Sequence, residues 1–406
     1  MKIGYILMVF PKLSESFISN EIVELTKRGH EVHIFALSRP SENLLQPEVN
    51  EYSLLEKTHY LPYFFELGSK LSRCGRLLFL GKGKKRSGLR KLYCILAARH
   101  FLKTIEKLKL DVLHAHLGIE SADVAMLLSE FTGVPFTFTL HARDIFMNPD
   151  VGALRQKMQK ASSVITISFF NKEYLHKLTG IELGKIHVVR ACMLERLKAA
   201  SKKSLNNAFT ILTVARLEEK KGIEYGILAI SKLIRRFPEI RYNIVGSGQL
   251  EDKLKRLATS LGLNNNVRFL GTLDSYSLMK QYEEASIFLL PCVRAANGDM
   301  DGIPVSLMEA MFVGIPCVST RISGIPELIE SGISGLLVDE RNVEQLAEAI
   351  ERLLTDNNLR LKMGKEGKEK VETEFDIQKE LSKQLRIWEN VQISSRRQKT
   401  DCNYAM

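Results

Sequence analysis

The sequence predicts an α/β protein: two successive doubly wound, Rossmann-like parallel-sheet domains facing each other across a cleft. Short, almost uninterrupted apolar runs alternate with helix-length segments, the pattern of strands covered on both faces by crossover helices. The alternation lapses once, in a polar stretch rich in Lys and Asn over 194–208, and then restarts. At 406 residues the chain is also longer than one ordinary core sustains.

In the first half, residues 3–10, 31–37, 112–116, 136–140, 163–168 and 186–189 read as strands, and 16–28 as a helix closed by Gly29. In the second half, 209–215, 242–245, 267–270, 287–291, 316–319 and 335–338 read as strands. Helices are expected near 222–236, 249–261, 275–284, 305–313, 324–331 and 342–355. The polar residues 394–406 are expected to form a frayed tail.

Composition narrows the function classes. The formal charge of +11 points to anionic partners. The excess concentrates in residues 70–109, where Glu106 is the one acid among many Lys and Arg. Six scattered cysteines lack a CxxC pair or zinc spacing and read as free thiols of a reducing compartment. The apolar run after Lys2 is too short for a signal peptide, and no stretch approaches the ~20 apolar residues of a membrane span. The protein is expected in the cytoplasm, attached at most peripherally to the inner face of the cell membrane.

The most informative segment runs from Asp301 to Met311. Its acids Asp301 and Glu309 stand eight positions apart, with Asp301 in a loop and Glu309 one turn inside a helix that begins near Val305. Further landmarks follow in order: Ser323-Gly324-Ile325-Pro326-Glu327 and the turn at 332–338. Upstream lie Val214-Ala215-Arg216-Leu217 with Lys220-Lys221-Gly222, then Gly246-Ser247-Gly248 and Phe269-Leu270-Gly271. The N-terminal half adds His114-Ala115-His116 and Leu140-His141-Ala142-Arg143-Asp144. Over about residues 1–390 these resemble the landmarks of glycosyltransferase family 4, whose fold is GT-B. The opening 10–17, without the Gly-Gly turn of many relatives, looks like the subgroup of exopolysaccharide and colanic-acid-type assembly.

The resemblance implies a retaining, metal-independent transfer of a sugar from a nucleotide diphosphate sugar to a glycan or polyprenyl-diphosphate-linked acceptor, with no cofactor. It implies an acceptor-binding domain over 1–193, a linker over 194–208 and a nucleotide-sugar domain over 209–375. A helix over 376–393 would return to the N-terminal domain. Glu309 would hold the ribose and Asp301 the donor sugar. Amides of Gly302, Ile303 and Val305 would approach sugar and phosphate, and Gly246, Gly248 and Gly271 would line the nucleotide. His141 would stand by the reactive carbon. Ser14, Glu15, Ser16, His116 and Asp144 would face the acceptor, with Asp144 alternatively orienting His141. The leaving phosphate itself would take the acceptor's proton.

Physical chemistry supports these roles. A departing nucleoside diphosphate gains negative charge that a metal, or fixed cations and helix N-termini, must stabilise. Arg216 offers a fork of donors and Lys221 a point charge, five positions apart at a strand end. Two departures bear on the sugar: the first acid is Asp where the family usually has Glu, and Pro304 has no N–H to donate. Asp299-Met300-Asp301 matches a metal-chelating DxD pattern but is read as coincidence. Residues 70–109 interleave Lys and Arg with Leu, Phe, Tyr and Ile, which suits an anionic membrane surface; no reading motif for nucleic acid accompanies them. Two rivals remain, a sugar-nucleotide epimerase of the same architecture and a non-catalytic sugar-nucleotide-binding protein.

Overall fold

The computed structural model describes residues 1–12, 15–40, 46–62, 84–191 and 209–404. The N-terminal sheet has seven strands: β1 Lys2–Val9, β2 Glu31–Ser38, β3 Thr58–Tyr60, β4 Val112–His116, β5 Phe136–Leu140, β6 Ser163–Thr166 and β7 Ile186–Val188. Their order is β3-β2-β1-β4-β5-β6-β7. The C-terminal sheet has six: β8 Thr210–Val214, β9 Arg241–Val245, β10 Val267–Gly271, β11 Ile287–Leu290, β12 Cys317–Thr320 and β13 Gly335–Val338, in the order β10-β9-β8-β11-β12-β13. Every neighbouring pair is parallel. The strand order reverses between β1 and β4 and again between β8 and β11. Each reversal opens a crevice beyond the carboxyl ends of the strands, where ligands of such sheets bind.

The sequence dictates this layering. β4 and β5 are buried at every position, as continuous runs require when helices cover both faces. Alternate side chains serve opposite cores: Ile6, Phe35, Leu113 and Phe138 face one, and Tyr5, Ile34 and Val112 the other. The covering helices of the first half are α1 Ser16–Lys27, α2 Pro47–Glu51, α3 Lys84–Leu108, α4 Glu120–Thr132, α5 Arg143–Phe146, α6 Val151–Lys160 and α7 Phe169–Thr179. Those of the second are α8 Ile223–Leu233, α9 Glu251–Ser260, α10 Ser275–Glu284, α11 Val305–Val313, α12 Ile325–Leu328, α13 Val343–Thr355 and α14 Asn357–Glu374.

The last helix, α15 Ile377–Tyr404, crosses back to the N-terminal domain. Ile377, Leu381 and Trp388 join the core beneath β1 and β2, and Trp388 Nε1 donates to Thr137 Oγ1 at 3.0 Å. Gln378 donates to Glu24 at 2.7 Å, and Arg28 donates to Gln378 and Ser382. The frayed tail expected from Ser394 is instead helix as far as Tyr404, because Arg, Gln and Lys are good helix formers that an existing helix readily extends. Among the described residues no helix is long and apolar enough to cross a membrane.

Candidate active site

One half of the site rises from the carboxyl ends of β8, β9 and β11. After β8 the chain runs through Arg216 into a short 3-10 turn, Glu219–Lys221, that ends on Gly222. Gly222 has φ +61°, and a Cβ there would lie 1.9 Å from the Pro291 carbonyl oxygen. Only glycine lets this turn press against the end of β11. Gly246, at φ +123°, likewise meets the Ala215 carbonyl, and Gly248 abuts the Leu217 backbone. The Gly246 N–H donates to Gly271 O at 2.7 Å. Gly246, Gly248 and Gly271 thus tie the ends of β9 and β10 to the Arg216 turn.

That turn aims two lysines at the acid segment. Lys221 Nζ lies 2.7 Å from Asp301 Oδ2, and Lys220 Nζ lies 3.1 Å from Asp299 and 3.6 Å from Asp301. Asp301 is 8% exposed. Burial pushes its carboxyl up, but Lys221 and Lys220 outweigh that and hold it at about 2. For Lys221 the signs invert: burial pulls its ammonium down, and Asp301 more than compensates. Cys292 Sγ donates to Asp301 Oδ2 at 3.5 Å, and its thiol is pushed far up by burial and then by that carboxylate. Both acids of the Asp299-Met300-Asp301 pattern therefore sit on lysine ammoniums.

Gly302, Ile303 and Pro304 lead from Asp301 into α11, whose N-terminus no side chain caps. The N–H groups of Val305 and Ser306 at this end suit an anion, while the Leu307 N–H donates to the Pro304 carbonyl at 3.1 Å. Glu309, one turn in, accepts from the Tyr282 hydroxyl at 2.7 Å. Arg216 is half exposed and pairs with Glu218 at 2.7 Å.

The facing half of the site belongs to the N-terminal sheet. His141 follows β5, with its backbone held at both ends. Its N–H donates to Asp144 Oδ1 at 3.1 Å, and its carbonyl accepts from Asn171 Nδ2 at 2.5 Å. Asp144 also accepts from the Gly118 N–H at 2.8 Å. Buried and doubly engaged, it orients the His141 loop; burial lifts its pKa despite those amides. His116, at the end of β4, lies against His141, with Nδ1 3.0 Å from His141 Nε2. Glu15 precedes α1 and pairs with Lys12, and Ser16 opens that helix. Ser14 lies outside the described residues.

The two sides meet. A Cβ on Gly302 would lie 2.7 Å from Ile167 Cδ1 and 3.5 Å from the His141 carbonyl oxygen. Glu327, at the start of α12, accepts from the Phe169 and Phe170 N–H groups at 3.0 and 2.8 Å. It thereby caps the N-terminus of α7 from across the cleft. Arg190 stands 3.8 Å from the same carboxylate.

Sequence reasoning did not single out Glu21, Lys220, Tyr282, Cys292 or Arg190. Lys220 was adjacent to a chosen lysine, and the 3-10 turn, which sends both inward, was its one missing signal. The others are long-range partners that motif spacing does not reveal.

Buried histidines make acid lability measurable. Burial holds His114 down to about 3 and His141 well below its usual value, with His116 adding to both. A folded pKa below the unfolded one means stability present above about 6.5 is lost as pH falls toward 3. His114 alone accounts for about 1.4 kcal/mol per pH unit in that window. Unfolding free energies from urea titrations at pH 7.5 and 5.5 should differ by at least about 1.4 kcal/mol; equal values would show that these rings charge freely in the fold.

Residues 14–191 match the family model described as Glycosyltransferase Family 4, and residues 196–370 that described as Glycosyl transferases group 1. The chain is 33% identical over 398 residues to WcaL of Escherichia coli K12, named as a colanic acid biosynthesis glycosyltransferase, covering 93% of this chain and 97% of that one. It is 32% identical over 394 residues to the amylovoran biosynthesis glycosyltransferase AmsK of Erwinia amylovora, covering 93% and 96%. Among solved structures, Anabaena HepE in complex with UDP superposes with a TM-score of 0.73 at 18% identity, over 96% of this chain and all of that one. A glycosyltransferase of Rickettsia africae gives 0.74 at 17%, over 96% and 98%. With both halves matched and relatives similar along nearly their whole length, the chain belongs to glycosyltransferase family 4 and has the GT-B fold.

Proposed function

We propose that this glycosyltransferase moves a sugar, with retention, from a nucleoside diphosphate donor to a glycan or polyprenyl-diphosphate-linked acceptor in exopolysaccharide, lipopolysaccharide or capsule assembly. The observation that carries it is the Lys221–Asp301 pair, 2.7 Å apart at the mouth of uncapped α11, with Gly302 against the His141 carbonyl. A diphosphate seated at that N-terminus would meet free amides and one or two ammoniums as charge builds on it. Asp301 would share the Lys221 ammonium, which has three donors, and still accept from a sugar hydroxyl. The names of the relatives support the assembly role, and the complexes of Anabaena HepE with UDP and with UDP-glucose support a nucleotide donor.

The same geometry supports metal independence. A divalent cation on Asp299 and Asp301 would have to displace Lys220 and Lys221, and like charges at that range repel strongly. A panel of nucleotide sugars should include one that, at about 100 times its dissociation constant, stabilises the fold by about 2.7 kcal/mol. With that donor and an acceptor saccharide, NMR of the product should show the anomeric configuration kept, with chelator present or absent. An inverted product or loss of turnover in chelator would overturn the mechanism. Epimerised donor without transfer, or binding without turnover, would favour the rivals.

The membrane role is carried by α3. Leu89, Leu92, Ile95 and Leu96 are exposed there at near-helical spacing, beside exposed Lys91, Arg99 and Lys103. Residues 70–83 of the basic stretch lie outside the described residues. Such a face suits an anionic bilayer, at about 1 kcal/mol per cation near the surface. The protein should float with phosphatidylglycerol-rich vesicles at low salt, and Leu92→Glu should release it. Equal recovery with neutral vesicles would sink the electrostatic part.

A further inference from the structure

Behind His141 three titratable side chains stand in line. His116 Nδ1 lies 3.0 Å from His141 Nε2, and His116 Nε2 lies 3.6 Å from Glu21 Oε2 on α1. His116 is 2% exposed, and its Nε2 has no hydrogen-bond partner within normal reach. The rings of His116 and His141 stack, with centroids 5.2 Å apart. Glu21 is anchored from the far side by the Tyr5 hydroxyl and the Gln384 amide of α15. Burial would raise its carboxyl, but His116, His114 and Tyr5 hold it at about 2. It therefore carries a full negative charge near neutral pH.

Glu21, His114 and His116 also offer three ligand atoms within 4.8 Å, close enough for a metal ion. His114, however, uses both ring nitrogens: Nδ1 meets Thr137 Oγ1 at 2.8 Å and Nε2 meets Thr139 Oγ1 at 3.1 Å. Trp388 Nε1–H donates to that same Thr137 hydroxyl, which can then donate to His114 Nδ1. An ion would strip a satisfied buried network, so the trio is not read as a metal centre.

We propose that Glu21, acting through His116, sets the tautomer of His141 and makes its Nδ1 a hydrogen-bond acceptor. The carboxylate beside His116 Nε2 demands a proton there, since the other tautomer would turn a lone pair toward a charge. In the neutral ring His116 Nδ1 is then a bare lone pair and can only accept, so His141 places its proton on Nε2. His141 Nδ1 is left to accept, and no described residue donates to it. On the glycosyltransfer reading, on which this last step rests, a hydroxyl of the donor sugar or the acceptor donates to Nδ1. Glu21 and His116 are positioning residues, because neither need touch substrate.

Long-range ¹⁵N–¹H correlation of the histidine rings in the full chain tests this without any substrate. Wild-type protein should show His116 and His141 both protonated on Nε2 and bare on Nδ1. Glu21→Gln, whose amide can donate or accept, should give mixed tautomers at both rings. His116→Leu should free His141, whereas His116→Asn, whose oxygen accepts near the Nδ1 position, should keep it fixed. A His141 protonated on Nδ1 in the wild type, or one unchanged in both Glu21→Gln and His116→Leu, would overturn the proposal. In turnover, Glu21→Gln should lower kcat about tenfold with donor KM little changed. A chain inert toward every donor would count against the transfer reading alone, because the tautomers are read independently.

Discussion

Lys221→Ala is expected to lower turnover at least about tenfold, the loss of one charge-assisted contact to the diphosphate, and to destabilise the C-terminal domain as well. Lys221 and Asp301 are both largely buried, with side chains 12% exposed. Removing one partner of such a pair costs about 3–5 kcal/mol, because the other charge is left without compensation. Lys220 softens this: it already stands 3.6 Å from Asp301, though it also serves Asp299. The two effects separate in a double variant. Lys221→Ala with Asp301→Asn removes both charges and should recover much of the stability while leaving turnover low. Recovery of turnover as well would mean that Lys221 serves only to neutralise Asp301, and the diphosphate reading would fail. Arg216→Ala should cost less, since Arg216 is half exposed and already paired with Glu218.

Much of this site is legible in the sequence because of one topological fact. In a parallel sheet all strands end on the same side, so residues placed just past strand ends converge whatever their separation along the chain. Arg216, Gly246 and His141 stand just past strand ends and Lys221 in the turn after one, and these, like Asp301 and Glu309 around a helix start, were picked out through their resemblance to the family's landmarks. What spacing does not carry is which side chain answers which. Glu21 looks like one more acid on α1, and only the fold brings it to His116. Tyr282 reads as a core aromatic of α10 until its hydroxyl reaches Glu309. Among the elements, β3 is only three residues long and gives no period to read. α14 is highly charged and carries two glycines, which disguise it as loop. Its start was nonetheless signalled: Asp356 caps it by accepting from the Leu359 N–H. Gly364 is there for packing, since a Cβ would lie 2.2 Å from the Gly314 carbonyl oxygen.

Trp388→Ala should have the largest effect on stability of any single change on α15, about 3–5 kcal/mol by comparison with other buried aromatic truncations. Trp388 is fully buried, packs edge-on against Tyr5 with centroids 6.3 Å apart, and donates to Thr137. Truncation would open a cavity under the sheet and remove the donor to that hydroxyl, whereas Trp388→Phe should cost less by keeping most of the volume. Circular dichroism during urea unfolding measures both, and a loss under 1 kcal/mol for the alanine variant would show that α15 does not depend on this anchor. The wild-type chain supplies its own probe, since Trp388 is its only tryptophan: its emission should shift as α15 leaves the N-terminal domain. Activity is coupled to the same joint. Gln384, one helical turn before Trp388, holds Glu21, and Glu380 accepts from the Arg190 N–H at 2.9 Å. A loosened α15 therefore releases the carboxylate that orders His116 and His141, so turnover in Trp388→Ala should fall even under conditions where the fold persists.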